Sequence, residues 1–474
     1  MKKIALVYGN FNILHPGHLR LLKFAKESSD YLIVAVNSEK LTNGLNLLDE
    51  QTRLESIKAT SFVDEAFILN ENILDYIKKA KPSIIVKGKE HEQKTNPEEN
   101  ILKEYGGRLL FTSGEIGFSS LDLLQKDFEI NNSFINHASE FLKRHKIQKE
   151  DLISYVNNFE KLNVLVIGDT IIDEYITCNP VGMSQEDPTI VVTPLSNKKF
   201  IGGAAIVASH AKTLGANVSY ISVVGDDENY KYTKKYLKDL SINTTLYKDH
   251  TRPTTLKQRF RAHNKTLLRV NHLKQHYINK DLEKEIIKNI KNIKRLDLII
   301  FSDFSYGVLT KKLINKISDF ANENNISMVA DSQSSSQVGD ISKFKNMDIV
   351  TPTEREIRLS LNDFESGLVV LSKKLRKQSK PKFIFTTLGS EGIMIYNSIK
   401  KQLLTDNIPA LNNNSKDVSG AGDSLITCSA MANTVGANIW QASYLGSLAA
   451  AIQVSRIGNI PIQKEELLKE IRKL

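Results

Sequence analysis

The sequence predicts an α/β fold in two domains, and three observations support this prediction. Short apolar runs alternate with helical patterns along most of the 474 residues, as strands and helices do around a parallel sheet. Many of these runs end in glycine, which is typical of a strand that gives way to a loop. Two unrelated glycine-containing motifs, at residues 9–18 and 417–424, lie near opposite ends of the chain. Each motif therefore belongs to a domain of its own.

The first domain is predicted at residues 1–128. A helical pattern follows its first strand, at residues 16–28, and further helical stretches separate the later strands. Its strands are predicted at residues 4–8, 31–37, 83–87 and 108–112. Residues 131–162 are polar with a helical pattern and contain no apolar run. They predict a helical linker, placed at residues 129–160.

The second domain is predicted at residues 161–474, as a doubly wound sheet. Its strands are predicted at residues 164–168, 218–224, 296–302, 326–331, 348–351, 383–387 and 393–396. Residues 170–200 and 242–272 contain β-rich segments at odds with strict strand–helix alternation. These two stretches predict a small β lid.

Composition excludes several classes of protein. The two cysteines, Cys178 and Cys428, lie far apart and form no zinc-binding spacing, which fits a reducing compartment. No apolar run approaches the roughly 20 residues of a membrane span, so we expect a cytoplasmic protein without membrane contact. The formal charge is +10, but lysines are scattered over helical patterns such as residues 274–294. We therefore expect no nucleic-acid partner.

The N-terminal motif places His15 and His18 where the first strand gives way to a helix. Free backbone N–H groups and the helix dipole favour anions at such a point. Two imidazoles one helical turn apart can both face a nucleoside triphosphate, and Gly9 permits close approach of the backbone. This arrangement suits in-line attack on an α-phosphate, which requires positioning and charge neutralisation.

Residues 9–18 resemble the nucleotidyltransferase superfamily motif Gly-x-Phe-(Asp/Asn)-x-x-His-x-Gly-His. Four further segments resemble that superfamily in order, at residues 33–38, 51–53, 86–88 and 117–121. The resemblance implies that His15 and His18 are catalytic. It implies nucleotide contacts from Gly9, Phe11, Asn12, Arg53, Lys87, Ser119 and Ser120. Residues 40–48 depart from close relatives because Lys40 is the one cation there, which predicts weaker triphosphate binding or the use of other residues.

The C-terminal motif, Gly420-Ala-Gly-Asp423, precedes an apolar helical pattern at residues 424–434. Small residues leave backbone N–H groups uncovered at a helix N-terminus, which makes a hole for a transferring phosphoryl group. Asp423 would lie beside that group and take a proton from an attacking hydroxyl. No Gly-x-x-x-x-Gly-Lys-(Ser/Thr) sequence occurs, so this is not a P-loop.

The segment resembles the Asp-Thr-x-Gly-Ala-Gly-Asp motif of the ribokinase-like carbohydrate kinases, and residues 202–208, 353–356 and 387–392 resemble others of their motifs. The resemblance implies Asp423 as catalytic base and Glu356 as an organiser of Mg²⁺. It implies nucleotide and phosphate contacts from Thr353, Glu356, Thr387, Gly389, Asp417, Gly420, Ala421 and Gly422. It implies substrate contacts from Asp173, Gly202, Gly203, Arg259 and Asp303, and a homodimer formed through the lid.

The pairing of an N-terminal Rossmann-like nucleotidyltransferase domain with a C-terminal ribokinase-like domain resembles the bifunctional heptose 7-phosphate kinase/heptose 1-phosphate adenylyltransferase family. Residues 184–188, 252–259 and 302–309 support this branch. The domain order is reversed relative to the family. Four positions lose a polar or cationic family residue and carry Gly182, Ile206, Tyr306 and Gln333. The resemblance implies ATP, sugar phosphates and Mg²⁺ as ligands, and the losses predict an altered acceptor.

Two alternatives remain open. The first is that the same two reactions serve another sugar or polyol phosphate, with CTP in place of ATP at the transferase. The second is that the kinase domain is a non-catalytic scaffold, which the substitutions favour and the intact Gly420–Asp423 segment opposes. Substitute cations for the acceptor phosphate are available in the lid, at Arg252, Lys257, Arg259, Arg261 and Arg269.

Overall fold

Two compact units make up the part of the chain that the computed structural model describes, one within residues 3–111 and one from nearly all of residues 135–474. The described residues are 3–11, 14, 16–42, 49–88, 95–111, 135–262, 265–334, 338–397, 404–412 and 414–474. None of the helices in these ranges combines the length and the apolar character that a membrane span requires.

The first unit is a five-stranded parallel sheet in the order β3-β2-β1-β4-β5. Its strands are β1 Ile4–Gly9, β2 Tyr31–Asn37, β3 Glu65–Leu69, β4 Ile84–Lys87 and β5 Arg108–Phe111. Its described helices are α1 Pro16–Glu27, α2 Glu39–Thr42, α3 Glu50–Lys58, α4 Ile73–Ala80 and α5 Glu98–Tyr105. β1 and β4 are neighbours in the sheet and lead in opposite directions from the centre. Ligands of open α/β sheets bind at this kind of switch point, beyond the carboxyl ends of the strands.

Helix packing on both sheet faces explains the sequence of the central strand. Ala5, Leu6 and Val7 are buried, and they divide between the two apolar clusters that lie on either side of the sheet. A parallel strand covered on both faces is apolar without alternation. Their continuous apolar character makes β1 and β2 recognisable in the sequence. β3 begins with an exposed glutamate, and it was not predicted from the sequence.

Residues 135–161 pack into the second unit. They form α6 Ser139–Arg144, α7 Lys149–Asn158 and a short 3₁₀ turn at Phe159–Lys161. Phe141, Leu152 and Phe159 are fully buried in the large apolar cluster of that unit. The predicted helical character of this segment agrees with these elements, and the domain boundary at residue 160 stays a prediction.

The second unit contains a nine-stranded sheet in the order β10-β9-β6-β13-β14-β15-β16-β17-β18. Its strands are β6 Asn163–Gly168, β9 Asn217–Val224, β10 Asn243–Lys248, β13 Leu298–Asp303, β14 Ser327–Ser332, β15 Ile349–Val350, β16 Phe383–Thr387, β17 Ile393–Asn397 and β18 Leu404–Ile408. Pairing is parallel up to β16, and the last two strands join antiparallel. The doubly wound α/β sheet is therefore confirmed.

Helices cover this sheet. They are α8 Ala204–Thr213, α9 Glu228–Asp239, α10 Lys280–Lys291, α11 Lys311–Glu323, α12 Glu354–Leu361, α13 Leu368–Ser379, α14 Ala421–Thr434, α15 Ile439–Val454 and α16 Lys464–Ile471. Further 3₁₀ turns occupy Ile341–Lys343 and Gly389–Glu391. α14 and α15 are apolar on all sides, and nearly all of their residues are buried. A helix of this kind belongs in a core rather than on a surface.

The β lid is a separate four-stranded sheet in the order β12-β11-β7-β8. It consists of β7 Thr170–Met183, β8 Ile190–Gly203, β11 Thr255–Ala262 and β12 Lys265–His272. β7 and β8 form a long antiparallel ribbon, and β11 pairs with the first half of β7. The predicted lid is present, with one difference. β10 lies in the first half of the predicted stretch 242–272 but pairs with β9 at the edge of the main sheet.

Candidate active site

A cavity of about 630 Å³ lies within the second unit, between the lid and the N-terminus of α14. It collects residues from distant parts of the sequence because the carboxyl ends of parallel strands meet at one edge of the sheet. Of the residues that the sequence predicted, it is lined by Asp173, Gly203, Arg259, Thr353, Glu356, Thr387, Gly389, Gly420, Ala421, Gly422 and Asp423. Two motifs more than 200 residues apart in sequence thus share one chamber.

Asp423 lies in the first turn of α14 and is buried at the wall of the cavity. Burial and the nearby charge of Asp173 raise its pKa to about 7, against the opposing influence of Lys257 and Gln333. Gln333 donates from Nε2 to Asp423 Oδ1 at 3.2 Å. A carboxyl group with a pKa near neutrality is well matched to proton abstraction at physiological pH.

The N-terminus of α14 opens into the same cavity. Gly420 caps the helix with φ +78°, a conformation that side chains disfavour. A Cβ atom on Gly422 would meet nothing within 4 Å, so open space lies beside the backbone there. The N–H of Ala421 donates to the carbonyl oxygen of Val418 at 3.3 Å, and the other N–H groups at the start of this 14-residue helix make a site for an anion. The helix begins at Ala421, three residues before the predicted start, because the backbone of Gly420 sets the cap rather than the apolar pattern.

Asp173, which is predicted to contact the acceptor, is held between two donors. Arg259 donates from a terminal guanidinium nitrogen to Oδ1 at 3.3 Å, and Asn459 donates from Nδ2 to Oδ2 at 3.2 Å. Burial raises the pKa of Asp173, and the cation of Arg259 counteracts this effect. Gly202 lies tightly against the carboxylate, since a Cβ atom there would come within 2.5 Å of Oδ2. These contacts fix Asp173 in one orientation toward the cavity.

Two cations of the lid strand β11 line the cavity. Lys257 and Arg259 are two positions apart and so share one face of the strand. The ammonium of Lys257 lies 5.0 Å from the ring centre of Phe304 and 5.4 Å from that of Tyr306. Arg259 lies 5.4 Å from the ring centre of Tyr175. Aromatic faces support both cations without cancelling their charge.

Other lid cations differ in their surroundings. Arg252 is buried and donates to the Asp249 carboxylate and to the carbonyl oxygens of Tyr306 and His276. Arg269 is exposed on β12, directly opposite Arg259 in the antiparallel register. The cavity therefore draws its lining cations from Lys257 and Arg259, and Arg252 stabilises the loop that carries Tyr306.

Two further carboxylates, Glu356 and Asp331, lie near Asp423. Glu356 accepts backbone N–H groups of Ser334 at 2.7 Å and of Thr353 at 2.8 Å, the latter as part of a capping box of α12. Burial raises the pKa of Asp331, and the charges of Glu356 and Asp423 raise it further. Within the described ranges, no three side chains form a preformed metal cluster. Glu356 and the excess of negative charge fit Mg²⁺, which typically binds through one or two carboxylates, water and substrate phosphates.

The side of the cavity that is predicted to hold the nucleotide is partly apolar. Thr387 and Gly389 follow β16, and Thr387 donates its backbone N–H to Pro352 at 2.9 Å. Apolar residues from three elements face the same space: Ile393, Leu411, Ala450, Ala451 and Val454. An apolar slot beside an anion site is the arrangement expected for a nucleotide, whose base is apolar on its faces and whose phosphates are charged.

Three predicted site residues do not line the cavity. Asp417 accepts from Tyr175 Oη at 2.8 Å and from the backbone of Gly458 at 3.0 Å. Burial would raise the pKa of Asp417, but its hydrogen bonds lower it below the usual value. Asp303 is fully buried and pairs with Lys343 at 2.7 Å. The third, Gly202, packs against Asp173 as described above.

In the first unit, Gly9 ends β1 and Lys87 ends the neighbouring β4. The Lys87 ammonium pairs with the buried carboxylate of Glu98, which also accepts from Tyr8 Oη at 2.6 Å. The hydrogen bonds from Lys87 and Tyr8 outweigh burial and lower the pKa of Glu98. The carboxylate beside Lys87 had no signal in the sequence, because the two residues are brought together by the helix α5.

Other predicted residues of this unit lie close to the end of β1. The ring of His18 contacts that of Phe11 edge-on, with centres 5.2 Å apart. Arg53 is fully buried and donates to the carbonyl oxygens of Asn10 at 2.6 Å and Asn37 at 3.0 Å. It thereby ties together the loops that follow β1 and β2. Four predicted residues lie outside the described ranges: Asn12, His15, Ser119 and Ser120.

Two residues of the cavity region were missed in the sequence. Asn459 lies 286 positions from its partner Asp173, on a loop after α15. Tyr175 is recognisable only through its contacts with Asp417 and the lid cations. A Gly-Asn turn that follows a fully apolar helix was the one available signal for Asn459. Nothing in a single sequence identifies Tyr175.

Family models match both units. The pfkB family carbohydrate kinase model matches residues 161–465, and the cytidylyltransferase-like model matches residues 6–113. The predicted combination of a kinase unit and a nucleotidyltransferase unit, with the nucleotidyltransferase first, agrees with these positions.

Curated relatives share about a third of the aligned residues. A bifunctional protein HldE from Aliarcobacter butzleri is 33% identical over 313 residues, which is 65% of this chain and 64% of the relative. The same-named protein of Campylobacter jejuni subsp. doylei is 32% identical over 316 residues, with the same shares. The chain thus spans less than two thirds of the length of these relatives.

Solved structures agree on the fold of the second unit. Phosphofructokinase-2 from Escherichia coli covers 66% of this chain and 99% of its own, with a TM-score of 0.54 and 16% identity. Ribokinase from Thermotoga maritima covers 66% and 100%, with a TM-score of 0.51 and 19% identity. The expected ribokinase-like fold is thereby confirmed.

Proposed function

The chain belongs to the pfkB family of carbohydrate kinases, and from this premise we propose that its larger unit transfers the γ-phosphoryl group of ATP to a sugar phosphate. The supporting observation is the position of Asp423, a buried carboxyl group with a pKa of about 7 at the open N-terminus of α14. A general base and an anion site therefore adjoin in one cavity, with acceptor-side cations opposite them.

In the proposed reaction, Asp423 takes the proton of the acceptor hydroxyl as its oxygen forms a bond to the γ-phosphorus. The bond from that phosphorus to the bridging oxygen breaks, and ADP leaves. Backbone N–H groups of Gly420 and Gly422 stabilise the charge on the transferring group. Asp173, fixed by Arg259 and Asn459, orients the acceptor hydroxyls.

The acceptor is proposed to carry a phosphate of its own, as heptose 7-phosphate does. Lys257 and Arg259 line the cavity as cations, and cation pairing is the strong contact for phosphate. Tyr306 and Gln333 stand where the resembling family carries lysine, so these lid cations would take over part of its role. We expect an anomeric hydroxyl as the reacting group and leave open another sugar or polyol phosphate.

Glu356 is the residue proposed to hold Mg²⁺ in the presence of nucleotide. The ion supplies neutralisation of the phosphate charge when it is bound. Glu356 keeps unused lone pairs after accepting two backbone N–H groups, because a carboxylate offers about four acceptor sites.

The smaller unit is proposed to join a sugar 1-phosphate to a nucleotide, with pyrophosphate leaving. His18, Arg53 and Lys87 lie around the end of β1 and β4, the switch point of its sheet. The bifunctional relatives support the combined activity, and an ADP-heptose-type product is its most specific form. The cytidylyltransferase-like match keeps CTP as an alternative nucleotide. We further propose a cytoplasmic enzyme that forms a homodimer through its lid.

Two single substitutions test the two sites separately in the full chain. Asp423→Asn should reduce phosphoryl transfer from ATP by at least about 100-fold, since general-base catalysis contributes that much. It should leave pyrophosphate release from ATP or CTP with sugar 1-phosphates unchanged. His18→Ala should reduce pyrophosphate release and leave phosphoryl transfer from ATP unchanged.

The assay should use a panel of sugars and sugar phosphates, with folding checked by thermal unfolding. Wild-type protein that transfers phosphate to no member of the panel would contradict the kinase proposal. If that protein still releases pyrophosphate, the kinase unit is a non-catalytic scaffold for the transferase.

A further inference from the structure

Gln333 lies between two carboxylates at the wall of the kinase cavity. Its Nε2 donates to Asp331 Oδ2 at 3.0 Å and to Asp423 Oδ1 at 3.2 Å. A side-chain amide nitrogen carries two hydrogens, so both bonds can form at once. The amide therefore links the end of the central strand β14 to the first turn of α14.

The backbone holds Gln333 in this place from both sides. Its own N–H donates to the carbonyl oxygen of Asp303 at 2.8 Å, which extends the β13–β14 ladder by one residue. The next residue, Ser334, donates its N–H to Glu356 at 2.7 Å. Asp331 is fixed in turn by the hydroxyl of Thr351 at 2.9 Å. The amide is thus anchored on rigid elements, as a residue that positions a catalytic group requires.

We propose that Gln333 is a positioning residue for phosphoryl transfer, one that holds the Asp423 carboxylate toward the acceptor hydroxyl through an amide shared with Asp331. This inference rests on the proposed kinase function and adds a residue that acts through Asp423 rather than on the substrate.

The charges around Asp423 determine how this residue should act. Asp173 on β7 is a negative neighbour, Lys257 on β11 is a positive one, and Gln333, directly after β14, is a neutral donor; Asp331 shares the amide. A neutral donor stabilises the ionised carboxylate less than a cation does. Gln333 therefore orients Asp423 while leaving it basic enough to take a proton.

The first test is the pH profile of kcat in the full chain. Gln333→Leu removes the donor, so its profile should shift about one unit or more toward high pH, with at least about a 5-fold loss at pH 7. Gln333→Lys places a cation beside Asp423 and should shift the profile toward low pH. A structural role alone predicts a loss that is equal at every pH.

The matched control is Gln378→Leu. Gln378 donates from Nε2 to Ser342 Oγ at 2.9 Å and is absent from the cavity lining. This variant loses a side-chain amide bond of the same kind and should keep the wild-type pH profile. A shifted pH profile of kcat in Gln378→Leu would show that the profile responds to a general loss of protein stability. That result would count against the positioning role of Gln333.

A second measurement does not depend on activity. Thermal unfolding is followed from pH 5 to 9 for wild type, Gln333→Leu, Asp423→Asn and the double variant. The pH-dependent part of the Gln333→Leu effect on Tm should decrease when Asp423 is replaced. The part that remains belongs to Asp331, which shares the amide. If the effect is the same with and without Asp423, Gln333 does not act through Asp423 and the inference fails.

The two measurements separate the inference from the proposed function. Wild-type protein without phosphoryl transfer contradicts the function, while the unfolding cycle still decides whether Gln333 and Asp423 are coupled. Active protein whose Gln333 variants keep the wild-type profile, with no coupling in the cycle, contradicts the inference alone.

Discussion

Asp423 experiences two opposing influences that can be separated at the level of a single residue. A carboxylate in the first turn of a helix is stabilised by the helix dipole and by free N–H groups. Burial and the charge of Asp173 act in the other direction and prevail, since the pKa rises to about 7. Desolvation of a buried charge commonly exceeds the effect of a dipole. The position of Asp423 within the cavity, more than its position in the helix, therefore decides its chemistry.

This balance predicts a pH-dependent stability. The folded pKa of Asp423 lies above the ordinary aspartate value of 3.8, so its protonated form favours the fold, and that contribution is lost as the pH rises through about 7. Asp423→Asn is neutral at every pH, so its Tm should gain over that of wild type as the pH rises from 5 to about 7 and keep this gain up to pH 9. Each pKa unit corresponds to about 1.4 kcal/mol, so the gain should reach several degrees.

Thermal unfolding of both proteins over this pH range checks the prediction. Gln378→Leu, which leaves Asp423 in place, serves as the control and should run parallel to wild type. Parallel curves for Asp423→Asn as well would mean that the carboxyl group titrates in the normal range.

Lys87 shows how a residue can keep its predicted position and gain an unforeseen partner. It ends β4, as the strand pattern indicated, yet its ammonium is paired with Glu98 and lies 5.4 Å from the ring centre of Tyr8. An ion pair this deeply buried is costly to break, because each charge then loses its partner in a poorly solvated place. Contact of Lys87 with a nucleotide, as proposed, has to compete with this pair.

At the level of elements, the start of α14 depends on two glycines for different reasons. Gly420 has φ +78°, and a Cβ atom there would lie 2.5 Å from Asn459 Oδ1. Gly422 has open space where its Cβ atom would be. One glycine is needed for the shape of the backbone, whereas the other keeps the anion site empty of side chains.

Alanine at each position should separate these roles. Gly420→Ala should lower the free energy of unfolding by at least about 1 kcal/mol, from backbone strain and from the clash with Asn459, and should also reduce phosphoryl transfer. Gly422→Ala should fold like wild type, or slightly more stably, and still transfer phosphate poorly because its methyl group occupies the phosphate space.

Chemical denaturation and initial rates at saturating ATP distinguish the two variants. Gly436 has φ +102° and open space around its Cβ position, and it lies at the other end of α14. Gly436→Ala is therefore the control for strain without a nearby site. Equal stability of Gly420→Ala and wild type would contradict the proposed role of the cap.

The described part of the molecule contains two units, and the residues proposed for their two sites come from separate ranges of the chain. The described lid ribbon of β7 and β8 carries exposed apolar side chains at its far end: Val181, Met183, Ile190, Val191 and Leu195. β11 pairs only with residues up to Thr177 of β7, so the ribbon continues past its neighbour. Clustered apolar surface of this kind is typical of an interface, in keeping with the proposed lid-mediated homodimer.

Charge on this ribbon should prevent dimerisation. Met183→Glu combined with Leu195→Glu should convert the full chain from dimer to monomer at micromolar concentration. Both side chains are exposed, so the substitutions should leave the core of the protomer intact. Val338→Glu alters an equally exposed residue outside the lid and should leave the dimer intact. Analytical ultracentrifugation gives the answer, and a wild-type monomer at these concentrations would refute the dimer.

The sequence alone was sufficient for the fold class and for the two phosphate motifs. Buried parallel strands such as β1 and β2 are apolar over their whole length, and glycines with uncovered N–H groups mark where anions bind. These signals are local in the sequence, so they can be recognised without knowing which residues lie nearby in the folded structure. Strands with mixed composition, such as β3 and β10, gave no comparable signal.

Only the tertiary structure decided which side chains share a site and in what state of charge. Asn459 and Arg259 meet at Asp173 from distant parts of the chain, and Gln333 meets Asp423 across 90 positions. The same folding placed Asp303 against Lys343 and Glu98 against Lys87. Proton affinity follows from burial and from these neighbours, and neither is encoded at one position. The sequence thus supplied the groups that are proposed to react, whereas packing determined their partners and their pKa values.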